Sequence, residues 1–163
     1  MAFSVGASVS GKRGRSARRE VGVRVGITYG TYDLFHIGHL RLLERSRALC
    51  DRLVVGVSTD EFNALKGKRT AVPFEDRAEI VRALRCVDLV IPEETWDQKA
   101  RDVQEHSADL LVMGDDWVGT FDHLRELCEV VYLPRTPGIS TTELRGQVVE
   151  LTTNGAFTVT SQR

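Results

Sequence analysis

The sequence predicts one α/β domain: a five-stranded, mainly parallel sheet flanked by helices. Five short apolar runs rich in Val, Ile and Leu alternate with segments of helical period. Most of these runs are continuous rather than alternating, as strands covered on both faces must be. Four of them stop at Gly or Pro, and the first, fourth and fifth pass into turns that carry polar motifs, the place where such sheets hold ligands.

The first run, Val21 to Tyr29, ends at Gly30 and reads as a buried strand. Ile37 to Leu49 follows with Leu40, Leu43 and Ala48 near helical spacing and Arg41, Glu44, Arg45 and Arg47 between them, an amphipathic helix. Leu53 to Val57 is the second strand. Ser58, Thr59 and Asp60 are cap-type residues before a short helix over Glu61 to Leu65. The stretch Lys66 to Pro73, KGKRTAVP, has no period and is broken by Gly and Pro, so it reads as an exposed loop. Phe74 to Leu84 is a helix with Glu75 and Asp76 at its favourable end. Val87 to Ile91, closed by Pro92, is the third strand, and Trp96 to His106 is helical. Leu110 to Met113 is the fourth strand, Phe121 to Leu127 a helix, Val130 to Leu133 the fifth strand, and Thr141 to Leu151 the last helix.

A chain of 163 residues, 42% hydrophobic and 28% charged, has the composition of one soluble domain with a single core. No internal repeat or second domain is visible. No stretch reaches the roughly 20 apolar residues of a membrane helix. The net charge of −1 gives no reason to expect nucleic-acid binding, but the charge is uneven: five cations between Lys12 and Arg19 against Glu20 give the first twenty residues +4 and leave −5 for the rest. Residues 1–20 lack the apolar core of a secretory signal and read as a disordered basic arm or a polyanion-binding arm. The domain proper is expected over 21–151, with a frayed tail over 152–163. Cys50, Cys86 and Cys128 are odd in number, far apart and form no CxxC, which fits free thiols in a reducing cytoplasm.

Three turns are expected at the carboxyl ends of strands, hence on one side of the sheet. The first carries Tyr29, Gly30, Thr31 and Asp33 and leads into His36-Ile37-Gly38-His39. With a helix starting near Phe35, positions 36 and 39 share one face, beside free N–H groups that already favour an anion. Gly38 leaves room for a phosphate, and Ile37 turns to the core. Two imidazoles there can donate to a polyphosphate and strengthen as charge develops. HxGH lacks the spacing and glutamate of HExxH, so the pair is not read as a zinc site. The second turn is Arg135 to Thr142, where Pro134, Pro137 and Gly138 shape a loop and Ser140 or Thr141 caps the last helix. Its hydroxyls and N–H groups make a second anion site, with Thr136 in the loop and Arg135 adding a fork of donors. Lys66 and Lys68, with Arg69 beside them and Arg77 on the next helix, can hold a phosphate-bearing substrate. Asp115 and Asp116 allow a cap, a ribose contact or a metal ligand, and Trp96 can wall a small polar pocket.

In order, GTYDLFHIGH, KGK, GDDW and RTPGISTT resemble the cytidylyltransferase branch of the HxGH nucleotidyltransferases, and within it the members acting on glycerol 3-phosphate. The likeness runs from about Val23 to Leu151 and includes LVVGVSTDEFN and VDLVIPEETWDQK. It implies a Rossmann-like domain, a cytoplasmic homodimer, and Mg²⁺ or another divalent cation held mainly by the triphosphate. The implied reaction is CTP plus sn-glycerol 3-phosphate giving CDP-glycerol and pyrophosphate, a step toward teichoic-acid-type polymers. It assigns Thr31, His36, His39, Arg135, Ser140 and Thr141 to the triphosphate, and Lys66 and Lys68 to the family's phosphate-binding lysines. Arg77, Arg85, Asp88 and Asp115 match further pocket positions. Ile37 stands where an aromatic residue is common, and Pro137 replaces an acidic one, so acceptor choice is what the departures touch. Rival readings are a same-fold transferase using ethanolamine phosphate, a sugar phosphate or ATP, and a non-catalytic nucleotide-binding module. A class I aminoacyl-tRNA synthetase also carries HIGH, but no KMSKS-like loop and no tRNA-binding body fit in this chain.

Overall fold

The computed structural model describes residues 22–153. The basic arm expected over 1–20 and the tail beyond 153 lie outside them. The elements in order are β1 (Val25–Gly30), α1 (Ile37–Arg47), β2 (Arg52–Ser58), α2 (Asp60–Leu65), α3 (Phe74–Arg82), β3 (Leu89–Glu93), α4 (Gln98–Glu105), β4 (Leu110–Gly114), β5 (Glu129–Leu133) and α5 (Thr141–Thr153). The strands form one sheet in the order β3-β2-β1-β4-β5, and every pairing is parallel. Chain order reverses between β1 and β4, so the crevice of the sheet opens at the end of β1.

Burial on both faces explains the unbroken apolar runs. Ile27, Leu53, Val54, Val55, Val57, Leu110, Leu111 and Val112 have no exposed surface. Covering each such side chain is worth about 1.5–3 kcal/mol. One core layer gathers Ile27, Tyr29, Met113 and Val130. The other gathers Leu43, Val55, Val81 and Val112. Gly56 on β2 is required by the first layer, because a Cβ there would fall 2.2 Å from the Tyr29 ring.

Several boundaries differ from expectation for physical reasons. β1 starts at Val25, and Val23 is exposed before it. β3 includes Pro92, which the sequence suggests as its stop; the strand lies at the sheet edge, where a missing N–H is tolerated. The expected helix over 121–127 is a 3₁₀ turn, Asp122–Glu126. Trp96 precedes α4 rather than lying in it, because Gln98 caps the segment before it: its Oε1 accepts from Glu94 N and Thr95 N. α5 runs on to Thr153, past the expected start of a frayed tail.

Three aspartates close the far, amino-terminal edge of the sheet. Asp51, Asp109 and Asp88 accept from the backbone N–H of Arg24, Val25 and Leu53. That edge lies opposite the turns that carry the motifs.

Candidate active site

Those turns surround one cavity of about 520 Å³ at the carboxyl ends of β1, β2, β4 and β5, a size suited to a small ligand. Its wall includes Thr31, His36, His39, Lys66, Arg135 and Ser140. These residues lie far apart in sequence, and the parallel strand ends bring them together.

His36 is the N-cap of α1, in an extended conformation at φ −138°. Its Nδ1 accepts from Gly38 N at 3.0 Å, and its own N–H donates to His39 Nδ1 at 3.4 Å. The two rings stack with centroids 3.8 Å apart. With each Nδ1 accepting, each neutral ring keeps its Nε2 proton as a donor. Burial, then the neighbouring His36, pushes His39 down to about 4. Burial, then Arg135, lowers His36 as well. The pair is therefore neutral near pH 7 and donates without carrying charge. Gly38 is needed by His36 itself: a Cβ there would lie 2.8 Å from the imidazole Cε1. Ile37, expected to turn to the core, is instead 44% exposed.

The turn before α1 holds Tyr32 and Leu34 at φ 54° and 46°, left-handed values that cost of order 1–3 kcal/mol each. Asp33 between them is buried and acts as a tether. Its carboxylate accepts from Ala71 N, Val72 N and the Arg145 guanidinium. Burial pushes this carboxyl up, but the two backbone donors and Arg145 outweigh it and hold it below the usual range. Asp33 thus lines the cavity with its oxygens already engaged, joining the KGK loop and α5 to the turn.

Thr31 donates to Asn63 Oδ1 at 3.1 Å. Ser140 caps α5 by accepting from Glu143 N, so its hydroxyl proton is still available. Thr141 donates to Asp33 O, which fixes the α5 terminus against the β1 turn. Arg45 reaches Pro134 O at 2.8 Å and seats the loop that carries Arg135 and Thr136, both at the cavity wall.

Lys66 is nearly buried. Its Nζ donates to Ser58 Oγ at 2.9 Å and lies 4.1 Å from the Phe62 ring centroid. Burial pushes its ammonium down to about 8, against the pull of Glu93. Lys68 and Arg69 are exposed on the same wall. Trp96 lines the cavity edge-on to Phe62. Tyr29 and Gly30 form the floor; the Tyr29 hydroxyl donates to Asp102 at 3.0 Å and serves as wall rather than donor.

Four expected positions are placed elsewhere. Arg77 is buried, and its guanidinium donates to Val72 O, Thr31 O, Ser58 O and Asp60. With those donors engaged it organises the strand ends and is not part of the cavity wall. Arg85 and Asp88 follow α3 at the amino-terminal edge of the sheet, where Asp88 caps Leu53. Asp115 is not on the cavity wall; in the 3₁₀ turn Asp115–Trp117 it is Asp116 that lines the cavity.

Sequence reasoning missed Ser58, Glu93, Lys99 and Arg145 as site residues, all on the cavity wall. Glu93 accepts from Lys99 Nζ at 2.5 Å and from Ser58. Among the described residues, no group of three or more His, Cys, Asp or Glu side chains could hold a metal. No described helix is long and apolar enough to cross a membrane. The three cysteines are free thiols.

Comparison with known proteins agrees with this architecture. The family model described as cytidylyltransferase-like matches residues 27–147. The chain is 54% identical over 125 residues to a glycerol-3-phosphate cytidylyltransferase of Bacillus subtilis (strain 168), covering 77% of this chain and 97% of that protein. It is 52% identical over 122 residues to one from Staphylococcus aureus, covering 75% and 92%. Among solved structures, a lipopolysaccharide core biosynthesis protein of Thermoplasma volcanium superposes with TM-score 0.64 at 24% identity, covering 71% of this chain and 99% of that one. That likeness speaks to the fold alone. With the model spanning the sheet and both anion-binding turns, this chain belongs to the cytidylyltransferase-like family.

Proposed function

We infer that the protein is a nucleotidyltransferase that moves CMP from CTP to sn-glycerol 3-phosphate, giving CDP-glycerol and pyrophosphate. The observation that carries the reaction type is the pairing of two helix N-termini across one cavity: the stacked His36 and His39 at α1, and Ser140 at α5. Two such termini with Arg135 and lysines between them suit a polyphosphate better than a single phosphate. The identities above 50% to glycerol-3-phosphate cytidylyltransferases support the choice of CTP and acceptor.

The chemistry follows from charge. A phosphate monoester has a second pKa near ~6 and is largely dianionic at pH 7. An oxygen of the acceptor phosphate forms a bond to the α-phosphorus, and the bond from that phosphorus to the β-bridging oxygen breaks. Pyrophosphate leaves with the electron pair. No general base is needed, so catalysis is in-line positioning and neutralisation. In this reading His36, His39, Arg135, Thr136, Ser140 and the backbone from Gly30 to Thr31 hold the triphosphate. Lys66 and Lys68 draw the acceptor phosphate toward it, and Trp96 walls the acceptor's carbon chain.

The cavity offers cations and the single exposed carboxylate Asp116, a set that fits Mg²⁺ carried on the triphosphate rather than caged by side chains. When bound, the ion supplies further neutralisation of the phosphates. Action as a homodimer in the cytoplasm, feeding teichoic-acid-type polymers, belongs to the same reading and rests on the family likeness.

The test is pyrophosphate release over a grid of nucleotide triphosphates and phosphorylated alcohols. Turnover concentrated on CTP with sn-glycerol 3-phosphate is expected. Preferred turnover on a different pair would replace the substrates, and tight CTP binding without turnover on any acceptor would make the chain a binding module.

A further inference from the structure

One buried group is unexplained by triphosphate binding. Lys99 on α4 is 2% exposed, yet it borders the cavity. Its Nζ lies 4.4 Å from the Tyr29 ring centroid, 5.3 Å from Trp96 and 5.2 Å from Phe121. Its counter-ion is the buried Glu93, at 2.5 Å. Three aromatic rings and a carboxylate around one ammonium are the elements of an ammonium-binding cage. Here the cage is filled by the chain itself.

We propose that Lys99 is a specificity-determining residue: its ammonium fills an aromatic cage that would otherwise take the cationic head of an acceptor, so polyol phosphates are selected over aminoalkyl phosphates. The inference rests on the acceptor reading given above. An incoming ammonium would find the rings occupied and Glu93 already paired. It would also meet two like charges, because Lys66 Nζ stands 5.4 Å from the same Trp96 ring. Its charge would be buried without a partner, a discrimination built from repulsion. A hydroxyl in that position carries no charge, can accept from an ammonium and can donate to a carboxylate.

The test compares 2-hydroxyethyl phosphate with ethanolamine phosphate, which differ only in OH against NH₃⁺, with glycerol 3-phosphate as reference and CTP as donor. On the unaltered protein a preference of about 10²-fold or more in kcat/KM for the hydroxyl compound is expected. Lys99→Ala should narrow that preference by about tenfold or more, and added propylammonium should restore glycerol 3-phosphate turnover in a saturable way. An unaltered protein that uses both compounds equally overturns the proposal, and so does a variant that loses both in proportion with no rescue by the amine. If the variant does not fold, the comparison on the unaltered protein still decides. A protein that turns over CTP with no acceptor would instead overturn the activity reading, and this inference with it.

Discussion

Gly38→Ala separates the stability of α1 from the chemistry at its end. A Cβ at this position would sit 2.8 Å from His36 Cε1, 2.9 Å from its Nδ1 and 3.2 Å from Ile139 Cγ2. The imidazole is the part able to move, so it must swing out. That breaks the 3.0 Å cap from Gly38 N and the 3.8 Å stack on His39. Losing a cap costs about 1 kcal/mol. Replacing glycine by alanine inside a helix returns about 1 kcal/mol. The two offset, so the midpoint of urea unfolding should stay nearly where it was. The active site has no such compensation. If His36 donates to charge that develops in the transition state, misplacing it costs about 10²–10³ in kcat, as loss of one oxyanion donor does. The assay is pyrophosphate release at saturating CTP, beside an unfolding curve. Gly146→Ala on α5 is the control: a Cβ there meets nothing within 4 Å, so stability should rise by up to about 1 kcal/mol with turnover unchanged. A folded Gly38→Ala protein whose kcat stays within about threefold of the parent would refute the role assigned to His36 and to the glycine that seats it.

Lys66 should set the alkaline limit of activity: its ammonium is pushed down to about 8 by burial, so kcat/KM for the acceptor falls as pH rises through about 8. Lys66→Arg, which stays charged, should move that limb upward, and an unchanged limb would remove Lys66 from the acceptor site. Arg77→Lys should cost at least about 2 kcal/mol of stability, since one ammonium cannot serve the carbonyls of Val72, Thr31 and Ser58 that the guanidinium now satisfies. Acceptor KM should change less than about tenfold; a large selective rise in KM without loss of stability would return Arg77 to substrate contact.

The parts of the fold that were legible are those written in local pattern. Continuous apolar runs meant strands covered twice, and Ile27, Val55 and Val112 are buried accordingly. The i, i+3 spacing of His36 and His39 placed both rings on one helix end, because that spacing is itself the geometry. The Pro-Gly loop with Ser140 announced a second helix start for similar reasons. What escaped was whatever depends on contact across elements. Lys99 lies on a helix between Trp96 and Arg101, and nothing in the local sequence marks it as a site residue. Only the crossing of α4 over the ends of β1 and β3 puts Tyr29 and Glu93 around it. Arg77 beside a basic loop reads as one more phosphate ligand, yet the nearest acceptors in space are backbone carbonyls. Asp115 and Asp116 differ by a single step of a 3₁₀ turn, and nothing in GDDW says which of them faces inward.

The two buried carboxylates at a polyanion site carry a physical lesson of their own. Lys66, Lys68, Arg69, Lys99, Arg135 and Arg145 all border one cavity. Bare cations at that density repel one another, and the repulsion is strongest where water is scarce. Mobile side chains would relieve it by turning outward, and the donors would then have to be gathered again at each turnover. Asp33 and Glu93 remove that difficulty. Asp33 holds Arg145 and the backbone of the basic loop. Glu93 holds Lys99 directly, and Lys66 through Ser58. Each carboxylate lowers the cost of keeping cations in place before the substrate arrives, and each is buried deeply enough to stay out of the ligand's way. The fixed donors then need little reorganisation when negative charge develops, which is the main source of rate in a reaction that asks for alignment rather than a base. On this view removing either carboxylate should harm turnover more than it harms CTP binding, although both remove negative charge from a site for anions.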